Sequence, residues 1–443
     1  MKAKIKLKIK VIAYIFLLFS FSIALHAQET WNLKKCIETA KENNIELKLL
    51  KLNVDKTEIN YNRAKQNIYP DLSANIKTSN YYGFVYEDPI NDIYNFGNTY
   101  VNRFQLASSF NIFSGFYNRY RKSFRAGQIN TANYLFDKKY NEIILEITYH
   151  YYQILLAQEN AVLIKKRIEN LKQRKKFIEA NISIGLLPKR NLLNIDFLIA
   201  KGETDLLTSE NSAQQNTVYL MSLLGLNNKE TLNIVNDVDI SSTVLKLYDY
   251  NTIIEQAKSA FPDLKIGSSE IDNAEFAMKQ ANSFRYPSLA LEGRINIVTW
   301  DTLNYFSKNL LRKNYQYIGL NLSIPIYKNY NIRQNIALAA VDVDIAKNKA
   351  ADLTMELENN VYKAVLEYNN AFNLYHSLQK QYDAVNEEYK YATRLMEIGN
   401  MGIFEYTGIS ERLINAETEL LKAKYNLIIK MKVVDFYTGA VTK

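Results

Sequence analysis

The chain contains few of the residues that build catalytic or cross-linked sites. Cys36 is its one cysteine, and it has three histidines among 443 residues. A single cysteine excludes an internal disulfide and the zinc motifs that need several thiolates. The sequence also has no phosphate-binding glycine loop and no G-x-S-x-G or H-E-x-x-H motif. We therefore expect no enzyme, no catalytic residue, no metal site and no cofactor.

Proline and glycine are scarce as well, with 6 and 14 residues respectively. Because these residues punctuate turns and loops, their scarcity predicts a few long elements rather than many short ones. After the first 27 residues, no apolar run reaches the roughly 18 residues that a membrane-spanning helix requires. The sequence therefore predicts no transmembrane helix in the mature chain.

Residues 1–27 have the pattern of a secretory signal peptide. An apolar run from Val11 to Leu25 ends near Ala27-Gln28, where cleavage is expected. The alternative is an uncleaved membrane anchor, for which the run is short. The run is preceded by five lysines: Lys2, Lys4, Lys6, Lys8 and Lys10. Their removal lowers the formal charge from +9 to about +4, which does not indicate a nucleic-acid partner.

The chain carries the same helical pattern twice, about 214 residues apart. Apolar residues alternate steps of three and four from Val361 to Met396, and the same stripe runs from Ile147 to Ile182. Such a stripe is typical of a coiled-coil seam, and each copy is followed by a glycine, Gly185 or Gly399. The repetition predicts a tandem duplication, with a first repeat over 28–243 and a second over 244–443.

Each repeat also contains two segments of period-two alternation, which predict β-strands. Tyr69-Pro70-Asp71-Leu72 and Tyr286-Pro287-Ser288-Leu289 introduce the first strand of each pair. We predict strands at about 71–82 and 100–113 in the first repeat, separated by a loop from Tyr82 to Asn98. In the second repeat we predict strands at about 288–298 and 314–327.

These strands are apolar on one face and polar on the other, which fits either a membrane-spanning barrel or a soluble sheet packed on one face. Aromatic residues at the strand ends favour the barrel, whose rims carry such side chains. They are Tyr81, Tyr82, Phe84, Tyr86, Tyr100, Trp300, Tyr305, Phe306 and Tyr315. Four strands cannot close a barrel, and an open edge cannot face lipid, so a barrel would need several chains.

Two very long helices follow the strand pairs, at about 117–183 and 331–398, uninterrupted by proline. Each would be about 100 Å long at 1.5 Å per residue. Shorter helices at about 189–224 and 404–436 can return along them as antiparallel hairpins. An ordinary helical bundle is the alternative, although helices of this length exceed it. His150 and His376 lie within the long helices and are interpreted as structural.

The whole mature chain resembles the TolC-type family of outer-membrane efflux channels. The resemblance rests on the duplicated order of elements, the Tyr-Pro-x-Leu strand entries and Leu322-Ser323-Ile324-Pro325-Ile326-Tyr327. It implies a mainly α fold with a small transmembrane β-barrel contribution. It also implies a homotrimer whose chains supply twelve strands to one barrel and a coiled-coil tunnel across the periplasm of a Gram-negative bacterium. A periplasmic adaptor and an inner-membrane transporter are the implied partners of an exit duct for efflux or type I secretion.

The resemblance also assigns roles to the hairpin tips. The family uses its tips for adaptor docking and closure, and they correspond here to Ile184, Gly185, Leu186, Leu187, Pro188, Ile398, Gly399, Asn400 and Met401. Leu187 and Met401 replace the usual arginines, which indicates a more apolar closure. We expect Leu186, Leu187 and Met401 to be exposed for apolar docking.

Glu405 corresponds to a family aspartate at the narrowest part of the tunnel. Three such carboxylates around one axis would attract cations. The alternative is an ordinary solvated acid near a helix N-terminus, where the helix dipole favours it. A second family acid is absent, because Gly408 occupies its position.

Two other functions remain open from the sequence. A secreted or surface coiled-coil scaffold or adhesin would account for the heptads but not for the strands. A general solute porin would use the strands but would not need such long helices.

Overall fold

The computed structural model describes residues 30–88, 93–227, 232–235, 246–300, 314–328 and 330–439. The predicted signal peptide at 1–27 and the aromatic residues Tyr305 and Phe306 lie outside these ranges. The helices are α1 Leu33–Asn43, α2 Ile45–Gln66, α3 Tyr117–Ser183, α4 Arg190–Leu224, α5 Tyr250–Ala260, α6 Pro262–Ser283, α7 Asn331–Glu397 and α8 Ile403–Tyr437. The strands are β1 Thr30–Trp31, β2 Asp71–Asp88, β3 Ile93–Ser114, β4 Asn233–Ile234, β5 Ser288–Trp300 and β6 Asn314–Ser323.

Four strands form one antiparallel sheet in the order β2-β3-β5-β6. Ile76 pairs with Phe104, which pairs in turn with Ile297, and Leu291 pairs with Leu320. Directly opposed residues of antiparallel strands share a face, so these pairs make one face apolar across the sheet. The alternation seen in the sequence therefore continues from strand to strand.

Three predicted strand ends were wrong: the end of β2, the start of β3 and the end of β6. Most of the expected loop at 82–98 is strand, because β2 and β3 remain paired from Tyr82↔Asn98 to Asp88↔Ile93. Its glycines and asparagines suggested a loop, whereas its aromatic residues favour extended backbone. At the other end, β6 stops at Ser323 rather than at 327. Pro325 lies just beyond, and proline cannot donate a hydrogen bond to a neighbouring strand.

The chain folds into two compact units. One contains residues within Leu50–Phe136 and Pro262–Glu356, including the four-stranded sheet. Its helices α3 and α6 meet through small polar groups: Thr131 Oγ1 lies 2.8 Å from Ser269 Oγ and accepts from Asn273 Nδ2 at 3.0 Å. These contacts fix the register of the two helices because each polar group finds its partner at one relative position.

The other unit contains residues within Met1–Leu49, Asp137–Phe261 and Leu357–Lys443. Trp31 lies in β1, which pairs in parallel with β4. The phenol of Tyr151, 1% exposed, donates to the Val235 carbonyl oxygen at 2.5 Å. The buried hydroxyl thereby ties the long helix α3 to the segment that follows β4.

Asn44 separates α1 from α2. Its side-chain oxygen accepts from Leu47 N at 3.1 Å, and its Nδ2 donates to the Leu223 carbonyl oxygen at 2.8 Å. Asparagine commonly caps a helix in this way. The side chain of Asn44 caps the start of α2, and its backbone N–H donates to the Ala40 carbonyl oxygen at the end of α1. Nearby Cys36 is fully buried, and this burial raises the pKa of its thiol to about 12.

The repeated stripe forms the core of the helical hairpins. Buried residues occur along both copies, including Ile147, Ile154 and Ile168 in α3 and Val361 and Tyr368 in α7. No helix in the described part of the chain is both long and apolar enough to cross a membrane.

Candidate functional site

Both long helices end in the same backbone motif. Gly185 adopts φ 79°, its N–H donates to the Ile182 carbonyl oxygen, and Leu186 N–H donates to that of Asn181 at 2.9 Å. Gly399 adopts φ 77°, with the equivalent bond from Asn400 N–H to the Leu395 carbonyl oxygen at 2.9 Å. This is the Schellman arrangement, in which glycine is favoured because positive φ strains other residues. The duplication is therefore present in hydrogen-bonding detail at both tips.

Of the three tip side chains that the sequence predicted to be exposed, Leu186 is exposed, whereas Leu187 and Met401 are partly buried. Ile184 and Leu186 are each 69% exposed, and Ile398 is 68% exposed. Leu187 instead packs against the buried cluster of the first hairpin, and Met401 against that of the second. The expectation that Leu187 and Met401 are exposed was wrong. Both follow the glycine turn, which directs the returning chain back onto its own hairpin.

The first turn of α8 contacts the α3/α4 hairpin through three side chains. Ile403 packs against the cluster that contains Ile178 and Ile195. The Arg190 guanidinium lies 5.0 Å from the centre of the Phe404 ring. A cation over the face of an aromatic ring stabilises the contact by about 0.5–1 kcal/mol at an exposed site and by more at a desolvated one. The two hairpins are therefore joined close to their tips.

Tyr406 is the best-buried member of this contact, at 2% exposure. The Arg174 guanidinium of α3 lies 3.9 Å from the centre of the Tyr406 ring, and the Tyr406 hydroxyl lies within hydrogen-bond distance, 2.9 Å, of the Tyr389 hydroxyl of α7. Burial alone would raise the pKa of Tyr406, but hydrogen bonds with Thr393, Tyr389 and Arg174 outweigh it and lower the pKa. One side chain therefore links three helices.

Glu405 lies between Phe404 and Tyr406, in the first turn of α8, and its side chain is exposed. Its two neighbours in the chain both contact arginines of the first hairpin. The backbone that carries the carboxylate is therefore held firmly, while the carboxylate itself stays in solvent. Its role at a pore constriction remains a prediction.

The sequence pattern missed Arg174, Arg190, Phe404 and Tyr406 as members of this contact. An arginine beside a coiled-coil seam has the same local appearance as a solvated residue. A usable signal was the pair of aromatic residues that flank Glu405, because aromatic side chains immediately after a tight turn need a surface to cover them.

His150 has the structural environment that the sequence suggested. Its Nδ1 lies 2.9 Å from Asn216 Oδ1, and its ring stacks on Tyr219 with centres 5.1 Å apart. Within the described residues, no group of three or more histidine, cysteine or acidic side chains is arranged to hold a metal ion.

Residues 253–440 match the family model described as outer membrane efflux protein. The resemblance predicted from the sequence is confirmed over this part of the chain. The match lies wholly within the second repeat. No curated protein sequence matches the chain.

Several solved structures share the fold. The Campylobacter jejuni CmeC outer membrane channel is 18% identical with a TM-score of 0.79, covering 92% of this chain and 85% of that one. A membrane protein from Pseudomonas aeruginosa is 14% identical with a TM-score of 0.78, covering 92% and 90%. The open state of the Neisseria gonorrhoeae MtrE outer membrane channel is 18% identical with a TM-score of 0.73, covering 92% and 88%. At such low sequence identity, the structural similarity establishes the fold alone. It extends over both repeats.

The family match in the second repeat and the shared fold confirm the predicted mainly α fold class and the outer-membrane localisation.

Proposed function

We propose that this efflux-family protein is the exit duct of a tripartite efflux or type I secretion system. The observation that carries the proposal is the sheet: β2 and β6 each have a neighbour on one side only within the described chain. An outer-membrane sheet must close, because unpaired backbone groups are costly in lipid. Copies of the chain joined edge to edge, as a homotrimer, meet that requirement and surround a central passage.

The helical hairpins give the duct its periplasmic partners. Ile184, Leu186 and Ile398 project apolar side chains into solvent at the two tips. Exposed apolar groups gathered at one end of a hairpin are typical of a partner surface. We assign this surface to a periplasmic adaptor, which in turn connects the duct to an inner-membrane transporter. Leu187 and Met401 shape the turns from within.

Glu405 is proposed to line the constriction near the closed end. Its carboxylate is exposed, and the residues on either side of it contact the first hairpin. Three such carboxylates around a trimer axis would prefer cations over anions. Glu405→Gln should reduce cation preference in single-channel recordings without changing the trimer, and equal selectivity would place the constriction elsewhere.

Loss of export in the native cell tests the proposal. Deletion of the gene should cause retention of a fluorescent efflux dye or of a secreted protein, and the parent gene should restore export. A chain with Ile184, Leu186 and Ile398 changed to aspartate should reach the outer membrane in normal amounts yet fail to restore export. Leu207→Asp is the matched control, because Leu207 is 61% exposed on α4 and is not a tip residue. Full export by the tip variant would refute docking there, and unchanged export in the deletion strain would refute the duct.

A further inference from the structure

A dense basic run lies on α3 before the first tip. From Lys165 to Lys176, seven of twelve residues are lysine or arginine, and Glu169 is the one acid. Some of these cations are neutralised across the hairpin by acids of α4. Lys165 Nζ lies 2.9 Å from Glu210, Lys172 Nζ 3.3 Å from Glu203, and Lys175 Nζ 2.7 Å from Asp196. The antiparallel hairpin thus has a ladder of surface ion pairs on this side.

Another part of the run faces a cavity between α3, α7 and α8. Lys166, Arg167 and Arg174 line this cavity, whose volume is about 250 Å³. None of these three cations forms an ion pair with an acidic residue of the described chain. Arg167 and Arg174 are seven residues apart, about 10 Å along the helix, and so lie on the same side of α3.

The cavity wall is rich in hydrogen-bond donors. The Nε of Arg167 is buried and has no hydrogen-bond partner. Asn170 of α3 and the hydroxyls of Ser410 and Thr418 of α8 also line the cavity. Tyr389 also lines the cavity, and its hydroxyl lies 2.9 Å from the Tyr406 hydroxyl.

One acid, Glu417, also lines the cavity. Tyr382 lines the same cavity, and burial together with the charge of Glu417 raises the pKa of the Tyr382 phenol. With three cations against this single carboxylate, the cavity keeps an excess of positive charge. The volume is below the roughly 300–1,000 Å³ of pockets for drug-sized ligands.

We propose that this cavity is a binding site for a multivalent oxyanion, either phosphate or a small polycarboxylate. Guanidinium groups pair with both kinds of anion through parallel N–H bonds, and hydroxyls complete the coordination of the oxygens. Each guanidinium has five donors, so Arg174 can bind an anion while its face remains on Tyr406. Because the donors come from α3, α7 and α8, a bound anion joins the two hairpins.

Isothermal titration calorimetry tests the proposal. The purified, detergent-solubilised protein is titrated with inorganic phosphate and, separately, with citrate. At least one of the two should bind with a dissociation constant of about 1 mM or lower at low salt. Phosphate alone would identify a tetrahedral anion as the ligand, and citrate alone a polycarboxylate. Binding of neither would overturn the proposal.

The double variant Arg167→Gln/Arg174→Gln should weaken binding by at least about tenfold, because the anion loses its hydrogen bonds to both guanidinium groups. Lys165→Gln/Lys172→Gln removes the same formal charge from the same helix and should retain the parent affinity. Equal affinity in the two double variants would overturn the site. Ser410→Asp, which leaves the arginines in place, should also abolish binding by adding a carboxylate to the cavity. Retained binding in that variant would likewise place the anion elsewhere.

Discussion

The contact between Arg174 and Tyr406 should hold the closed end of the duct together. It joins α3 to α8 one turn beyond the tip, with the guanidinium 3.9 Å from the ring centre. A cation over a buried aromatic face contributes about 0.5–2 kcal/mol. Losing that much from the closed state alone would raise the ratio of open to closed channels by about 2- to 30-fold.

Single-channel recordings of Arg174→Gln, Tyr406→Leu and the double variant measure this contribution. Each single variant should open more often than the parent, and the double variant should open less often than the product of the two single effects predicts. Such non-additivity is expected of residues in direct contact. If the two effects simply multiply, Arg174 and Tyr406 act independently and the contact does not hold the end closed. Tyr406→Phe keeps the ring under the guanidinium and loses only the hydrogen bonds of the hydroxyl, so it should have a smaller effect than Tyr406→Leu.

Three further predictions concern stability and reactivity. Gly399→Ala should lower the thermal midpoint, since positive φ costs a residue with a Cβ about 1–2 kcal/mol; an unchanged midpoint would show that the turn relaxes freely. Cys36 should resist alkylation until the protein is denatured, because its thiol is fully buried; rapid labelling of the native protein would contradict that burial. Burial and the charge of Asp435 raise the pKa of Tyr248 to about 12, so its neutral form contributes stability below about pH 10 that is lost as the pH rises through 12. Tyr248→Phe should therefore flatten the alkaline loss of stability over that interval, and an identical pH profile would exclude this phenol as a cause.

The sequence predicted the long helices well because their signal is repeated over many turns. α3 covers Tyr117–Ser183, and α7 covers Asn331–Glu397, within a residue of the predicted ends. The helix ends at the tip glycines were equally predictable, because the positive φ that ends a helix favours glycine. These features depend on residues that are close together in the sequence, so they can be predicted from the local sequence pattern.

The tip side chains and their arginine contacts could not be predicted in the same way. Leu187 and Met401 follow a turn whose direction depends on three-dimensional packing, and both point inward. Arg174 lies among other basic residues, and only the position of α8 distinguishes it from Lys172, which pairs with Glu203. The family resemblance predicted which positions serve docking and closure. It did not predict which side chains those positions contact.

In the proposed trimer, each chain supplies a third of a closed barrel around a duct. Native mass spectrometry of the complex extracted from outer membranes measures the number of chains directly. Since the outer strands β2 and β6 of the four-stranded sheet have no further partner among the described strands, we expect a complex with three times the mass of the mature chain. A stable monomer that retains the full strand content would contradict it.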